Sequence, residues 1–152
     1  MRPEGSVLVV DDEVGPRESL RMILHPLYEV HAVATGGEAL AQLQNQQFDL
    51  VTLDMRMPGL SGMDVLREIR KMKNDVDVVI ISGYMTSKKT EEAKTYGAAE
   101  VIAKPYNVTE VMACVGKLVE QKKYQRKVKS LLETAESLGV LDNDKLDPRL
   151  LN

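Results

Sequence analysis

The stretch SVLVVDDE, residues 6–13, decides the fold of this 152-residue chain. Its first five residues form a short apolar run, which is typical of a parallel strand that helices cover on both faces. Three carboxylates, Asp11, Asp12 and Glu13, follow the run at once. The stretch therefore predicts a buried strand with an acidic group at its carboxyl end.

Four more strand patterns follow, and a helical pattern comes after each of the five strands. The later strands are predicted at 28–34, 48–54, 76–82 and 100–104, the first of these as an edge strand. The helices are predicted to begin near Gly15-Pro16, Thr35, Ser61, Ser87 and Asn107. Because strand and helix alternate five times by about residue 119, we expect a doubly wound α/β fold with a parallel sheet.

Composition and charge exclude several other classes of protein. The formal net charge of −3 argues against a broad basic surface for direct nucleic-acid binding. Apolar runs such as VVII, 78–81, are far shorter than the ~20 residues of a membrane span, and the N-terminal residues carry no signal-peptide pattern. Cys114 is the single cysteine, which excludes a disulfide framework. We expect a cytoplasmic protein with no membrane partner.

Polar residues end four of the five predicted strands. Besides the acidic triplet, Asp54 ends the third strand, Ser82 the fourth and Lys104 the fifth. Each has an ordinary interpretation by itself: a capping aspartate, a turn serine, an exposed lysine. The carboxyl ends of parallel strands lie at one edge, where open α/β sheets bind ligands, so the four strand ends together predict a site.

The residue types at this edge indicate phosphoryl chemistry. Crowded carboxylates stay ionised when a cation joins them, and an all-oxygen ligand set suits Mg²⁺. An ammonium and a hydroxyl nearby suit phosphate oxygens, and a carboxylate can itself be a phosphoryl nucleophile. We therefore expect a Mg²⁺-dependent site that accepts a phosphoryl group on an aspartate.

Over about 6–119 the chain resembles the response-regulator receiver domain of two-component signalling, the family of the chemotaxis regulators. The resemblance rests on four motifs: LVVDDE, LDMRMPGLSGMDVL at 53–66, IISGY at 80–84, and AKPYN at the fifth strand end. It implies a flavodoxin-like sheet in the order 2-1-3-4-5. It also implies a signalling domain rather than an enzyme, whose covalent chemistry is limited to its own phosphorylation and autodephosphorylation.

The resemblance assigns a role to each residue of the site. Asp54 would take a phosphoryl group from a sensor histidine kinase or a phosphotransfer protein. Mg²⁺ would be held by Asp11, Asp12, Asp54 and the backbone carbonyl of Arg56. Ser82 and Lys104 would bind the phosphoryl oxygens, and a cis peptide bond would join Lys104 to Pro105. The fourth helix and fifth strand would then rearrange to suit a downstream protein target.

One position departs from the family pattern. The family usually carries Tyr or Phe three residues before its lysine, and Val101 stands there in this chain. Valine has a stiff side chain and no ring to reorient, so Tyr84 and Tyr106 become candidate signalling contacts. An alternative is an interaction module on a receiver fold that no longer switches. A phosphatase of the aspartate-based type is disfavoured, because Arg56 replaces the second aspartate that such enzymes carry.

The C-terminal residues divide into a helical extension, 120–139, and a loosely ordered tail, 140–152, after a receiver domain of 1–119. The extension repeats apolar residues at 4-3-4-3 spacing, which is typical of a short coiled coil: Tyr124, Val128, Leu131, Ala135 and Leu138. This stripe is out of phase with the apolar face before it, so we expect a kink or a new helix. The extension either folds onto its own domain or forms a linker or homodimer. The chain is either a stand-alone receiver or part of a longer transcriptional regulator.

Overall fold

Five parallel strands form one sheet in a computed structural model that describes residues 3–139 and residue 149. The order β2-β1-β3-β4-β5 confirms the predicted fold class. The expectation of a loosely ordered tail falls on residues that, apart from 149, lie outside the described ranges. The strands are β1 Ser6–Val10, β2 Glu29–Val33, β3 Leu50–Leu53, β4 Asp77–Ser82 and β5 Glu100–Ala103.

Five helices cover the two faces of the sheet, as the pattern predicts. They are α1 Val14–Leu24, α2 Gly36–Asn45, α3 Gly62–Lys71, α4 Ser87–Thr95 and α5 Val108–Ser137. Buried residues of α2, α3 and α4 pack on one face, and buried residues of α1 and α5 pack on the other. Along β1, Leu8 and Val10 contribute to the first core, while Val7 and Val9 contribute to the second. This two-sided burial is the physical reason for the continuous apolar run.

Helix starts follow the predicted capping residues with one small shift. The Thr35 hydroxyl accepts a hydrogen bond from the Glu38 amide at the start of α2, and Ser61 and Asp64 form a complete capping box on α3. The helix α1 begins at Val14, so Pro16 is its third residue rather than its first. Proline is tolerated there because the amides of the first turn have no partner within the helix.

The sequence predicts either a kink or a new helix after residue 119. The new helix is wrong, because α5 runs unbroken from Val108 to Ser137. Val115 and Val119 face the core, and the next residue on that face is Lys122, which is buried although it is charged. Its aliphatic stem continues the packed face, and its amine finds oxygen partners at the end of the sheet. The helix therefore continues without a break although its apolar stripe changes side, and the expected kink stays a prediction.

No helix among residues 3–139 is long and apolar enough to cross a membrane.

Candidate functional site

The predicted site residues lie together at the carboxyl edge of the sheet. Asp11 follows β1, Asp54 follows β3, Ser82 is the last residue of β4, and Lys104 follows β5. The register places the strand ends side by side, since Val10 pairs with Leu53 across β1 and β3. The parallel topology thus brings together residues that are widely separated in sequence.

Lys104 joins two carboxylates from different strands. Its Nζ donates hydrogen bonds of 3.0 Å to Oδ2 of Asp11 and 3.0 Å to Oδ2 of Asp54. Both aspartates are buried, with 6% and 7% of their surface exposed. Two carboxylates this deep need a cation beside them, and the lysine supplies one.

The two aspartates act on Lys104 in return. Burial alone would lower the pKa of the Lys104 amine, but hydrogen bonds and charge from Asp11 and Asp54 outweigh it, so the pKa lies above its ordinary value. The lysine is therefore protonated at neutral pH and presents a fixed positive charge at the mouth of the site.

Asp12 completes an acidic group that fits a hard metal ion. One carboxylate oxygen from each of Asp11, Asp12 and Asp54 lies within 4.8 Å of the other two. Asp12 is less buried than Asp11 and Asp54, so its side of the acidic group faces solvent. An all-oxygen, solvent-accessible donor set is the kind that Mg²⁺ uses while keeping several waters. The residues present therefore fit the Mg²⁺ ion that the sequence predicts.

Ser82 and Arg56 lie beside the acidic group. Ser82 is 1% exposed, and its hydroxyl accepts a hydrogen bond of 3.2 Å from the Tyr84 amide. The Arg56 amide donates a hydrogen bond of 3.1 Å to Oδ1 of Asp54. The Arg56 guanidinium lies 4.3 Å above the centre of the Tyr84 ring, a cation–π contact between the loops after β3 and β4. The metal-binding role of the Arg56 carbonyl stays a prediction.

The remaining predicted positions divide between the two faces of the sheet. Val101 is half-buried against the core beneath α2, α3 and α4, whereas Tyr106 packs against the core beneath α1 and α5. Tyr106 also lines a small cavity of about 10 Å³ together with Asp54 and Lys104. The Lys104–Pro105 peptide is cis, as the resemblance implied. Of the two tyrosines, Tyr84 is the exposed one, at 53%.

Two residues that shape the site are not singled out by the sequence patterns. A Cβ at Gly62 would overlap the carbonyl oxygen of Asp54 and the Cα of Met55, so only glycine allows α3 to start this close to the aspartate. The hydroxyl of Thr52, two residues before Asp54, is buried without a hydrogen-bond partner among the described residues. Gly62 is visible in the sequence as the last residue of PGLSG, 58–62. The need for glycine there comes from the close approach to Asp54, which only the fold creates.

Two arginines of α3 were also missed. Arg67 forms an ion pair with Glu92 of α4 and lies over the ring of Tyr96. Arg70 donates hydrogen bonds to the carbonyl oxygens of Tyr96 and Gly97, at 3.0 and 2.9 Å. These contacts attach the end of α4 to α3, although α4 itself buries little apolar surface.

The family model of the response regulator receiver domain matches residues 7–116, and the chain belongs to this family. Sporulation initiation phosphotransferase F from Bacillus subtilis is 31% identical over 117 residues, which cover 76% of this chain and 94% of that protein. The hydrogenase transcriptional regulatory protein HoxA from Cupriavidus necator is 34% identical over 143 residues, 91% of this chain but 29% of HoxA. The chain thus spans nearly all of a short relative and under a third of a longer one.

A solved structure agrees with this assignment. The response regulator TrrA from Thermotoga maritima, crystallised in complex with Mg²⁺-BeF, has a TM-score of 0.67 and 37% sequence identity, over 75% of this chain and 98% of that one. The resemblance seen in the four motifs is therefore confirmed. Residues 7–116 form a receiver domain, which is a signalling domain of two-component systems.

Proposed function

We propose that this receiver accepts a phosphoryl group on Asp54 from the phosphohistidine of a sensor kinase or phosphotransfer protein. The supporting observation is the Lys104 amine, which lies 3.0 Å from an oxygen of Asp54 and 3.0 Å from an oxygen of Asp11. Asp54 presents a buried carboxylate next to a cation and beside two further carboxylates. This combination suits an aspartate that gains the negative charge of a phosphoryl group.

The transfer replaces one bond to phosphorus by another. A carboxylate oxygen of Asp54 bonds to phosphorus while the phosphorus–nitrogen bond of the donor breaks, and the imidazole nitrogen keeps that electron pair. Lys104 and Ser82 bind the phosphoryl oxygens. Asp11, Asp12 and Asp54, with the Arg56 carbonyl, would hold Mg²⁺, which supplies neutralisation of the added charge. Hydrolysis of the same acyl phosphate by water resets the domain, and no other enzymatic activity is proposed.

Acyl-phosphate labelling tests this assignment. Incubation with acetyl phosphate and Mg²⁺ should raise the intact mass by one phosphoryl group, and Asp54→Asn should abolish the gain. Asp75→Asn is the matched control, because Asp75 is an exposed aspartate that precedes β4, at the other edge of the sheet. A phosphoryl group that persists on Asp54→Asn would refute the assignment of the phosphoacceptor.

The output of the domain is proposed to be a change in protein contacts at α4 and β5. The Ser82 hydroxyl now accepts a hydrogen bond from Tyr84, and turning it toward a phosphoryl group on Asp54 would release the loop before α4. Only Ala93 is buried among the described residues of α4, so little packing opposes its movement. A downstream protein in the cytoplasm, rather than nucleic acid or membrane, is the proposed target. Tyr84, being exposed beside this loop, is the proposed aromatic contact.

Val101 tests whether the chain switches without the usual aromatic residue. We expect Val101→Tyr to keep the mass gain from acetyl phosphate and to enlarge the change in hydrogen exchange that beryllofluoride and Mg²⁺ cause in β5. A ring can turn in and out as Ser82 moves, whereas the β-branched side chain cannot. Val101→Ile, branched and without a ring, should behave like the native protein. Equal responses in all three proteins would reduce Val101 to packing.

A further inference from the structure

Thr52 is a polar residue in the middle of a fully buried strand. All residues of β3, Leu50–Leu53, are buried, and Thr52 is 1% exposed. The central strands of a parallel sheet are covered on both faces and are usually apolar, so a threonine at this position needs an explanation. Its hydroxyl has no hydrogen-bond partner among the described residues. A buried hydroxyl without a partner destabilises the folded state, because it has lost the hydrogen bonds that water would make with it.

The side chains next to Thr52 in the sheet cannot supply that partner. Thr52 pairs with Val9 of β1 on one side and with Val79 of β4 on the other. Both neighbours are valines, so no cross-strand side chain can donate to the hydroxyl or accept from it. Leu50, two residues earlier on the same face of β3, packs in the core beneath α1 and α5. The Thr52 side chain therefore lies on the face of the sheet that α1 and α5 cover.

A small cavity on this face connects Thr52 with the acidic site. It measures about 10 Å³, and its wall includes Asp11, Asp54, Lys104 and Tyr106 as well as Thr52. Apolar residues of β1, β3, β4 and α1 make up the rest of the wall. A space of roughly this size holds one ordered water, and such a water needs roughly two to four polar partners. The cavity is therefore too small for an organic ligand, and it offers one water both the space and the partners.

We propose that one ordered water molecule binds in this cavity and joins the Thr52 hydroxyl to the charged residues of the phosphoryl site. Water both donates and accepts hydrogen bonds, so it suits a hydroxyl, a carboxylate and an amine alike. A lysine amine has three N–H donors, and Lys104 uses two of them on Asp11 and Asp54, which leaves a third. The water thus satisfies a hydroxyl that the protein itself leaves without a partner.

Thr52 then acts as a positioning residue for phosphoryl transfer, and this part of the inference rests on the proposed function. Thr52 precedes Asp54 by two residues, so a water on its hydroxyl lies on the sheet side of the charged residues. There it holds the Lys104 amine in place through water-mediated hydrogen bonds, which are nearly as favourable as direct ones. The water itself takes no part in forming or breaking a bond. Removing the hydroxyl should therefore slow the phosphorylation of Asp54 without abolishing it.

Crystal structures of the native protein and of two variants test the water directly. Thr52→Val keeps the shape of the side chain and removes the hydroxyl, whereas Thr52→Ser, the matched control, keeps the hydroxyl and removes the methyl group. Electron density for a water beside residue 52 is expected in the native protein and in Thr52→Ser, and none is expected in Thr52→Val. A native cavity without water density, or a water that Thr52→Val retains, would overturn the proposal.

Denaturant unfolding supplies a second test that does not depend on phosphorylation. If the buried hydroxyl had no partner at all, valine would remove an unfavourable group, and the denaturant midpoint of Thr52→Val would rise above the native one. A hydroxyl that is joined to a water predicts a midpoint at or below the native value. A higher midpoint in Thr52→Val would therefore count against the bound water.

The rate of labelling by acetyl phosphate and Mg²⁺ tests the positioning role. We expect Thr52→Val to lower the rate constant about two- to tenfold, the effect of one hydrogen bond, while the final mass still shows the phosphoryl group. Thr52→Ser should label at close to the native rate. Equal slowing in both variants, or none in Thr52→Val, would overturn the positioning role. A native protein that is not labelled would instead refute the proposed phosphoacceptor, and the crystal structures would still decide whether the water is bound.

Discussion

At the residue scale, Lys104 shows how the fold brings together charged residues from distant parts of the sequence. Its amine reaches Asp11 and Asp54, which lie 93 and 50 residues away in sequence. Those two carboxylates outweigh the desolvation of the amine and raise its pKa. The same two hydrogen bonds hold the Lys104 amine against the carboxylate of Asp54, which we propose as the phosphoacceptor.

The raised pKa of Lys104 predicts a defined pH dependence. The folded state binds the lysine proton more tightly than the unfolded chain does, so the stabilisation is complete below 10.5, the ordinary pKa, and is lost as pH rises through the higher folded value. A side-chain NMR titration should place the Lys104 midpoint above 10.5. Asp54→Asn should lower that midpoint and Asp75→Asn should leave it unchanged. A native midpoint at or below the ordinary value would contradict the charge pair.

At the scale of the element, the part of α5 that follows Val119 is held to the sheet by charged residues, whereas Val111, Val115 and Val119 pack in the core. Lys122 is 8% exposed, donates a hydrogen bond of 3.1 Å to the Asp75 carbonyl oxygen, and lies 3.7 Å from Oδ1 of Asp77. Burial raises the pKa of Asp77, and Lys122 with Arg70 counters that rise. Arg126 continues the contact one turn later by pairing with Asp49. These contacts of Lys122 and Arg126, the polar anchor, extend the packed part of α5 beyond residue 119. The domain boundary at 119 stays a prediction.

Lys122→Met tests this anchor. We expect a loss of about 1–2 kcal/mol in the free energy of unfolding at neutral pH, because a half-buried Asp77 loses its cation; partial exposure keeps the loss below that of a fully buried pair. Because the pKa of Asp77 is raised in the folded protein, the free energy of unfolding falls as the pH rises through that pKa. We expect this fall to be steeper in Lys122→Met than in the native protein. The difference between the proteins should therefore shrink in acid. Denaturant unfolding at several pH values measures this.

Lys123→Met is the matched control for the anchor. Lys123 is exposed and donates a hydrogen bond of 2.8 Å to the Glu4 carbonyl oxygen, so its loss should change stability by less than ~0.5 kcal/mol. Equal losses for the two lysines, or a loss at Lys122 that does not depend on pH, would show that the Asp77 pair does not anchor α5.

At the scale of the whole molecule, different contacts hold the helices at the two ends of the sheet. The carboxyl edge carries the acidic site and α4, which is attached mainly at its end by Arg67 and Arg70. The opposite edge is braced by the charged contacts of α5. Movement on phosphorylation should thus concentrate near β4, α4 and β5 and leave the base of α5 in place.

Hydrogen exchange with and without beryllofluoride and Mg²⁺ tests this division. We expect the largest change over 82–95 and a smaller one at Tyr96 and Gly97, because two hydrogen bonds from Arg70 hold those carbonyls. Residues 119–126 should not respond. Asp54→Asn should lose the whole response, which ties it to the phosphoacceptor. A uniform change across the chain, or none at all, would contradict a local switch.

Much of this architecture was predictable because it is encoded locally. Three kinds of feature can be recognised from neighbouring residues alone: the apolar run at 6–10, the capping residues Thr35 and Ser61, and the polar residues at four of the five strand ends. The unbroken helix α5 was not predictable in this way. Its core face continues through Lys122, and the lysine looks like a solvent residue until the Asp75 and Asp77 oxygens are placed beside it.

By itself the sequence determined the five strand–helix units, their parallel arrangement, the edge at which the site lies and the family that the motifs resemble. These depend on short-range periodicity and on residue types at strand ends. Only the tertiary structure decided that Lys104 bridges Asp11 and Asp54, that α3 must begin with a glycine against Asp54, and that Thr52 lines a cavity beside them. Those facts depend on distances between segments far apart in the chain, and a distance is set by packing rather than by pattern.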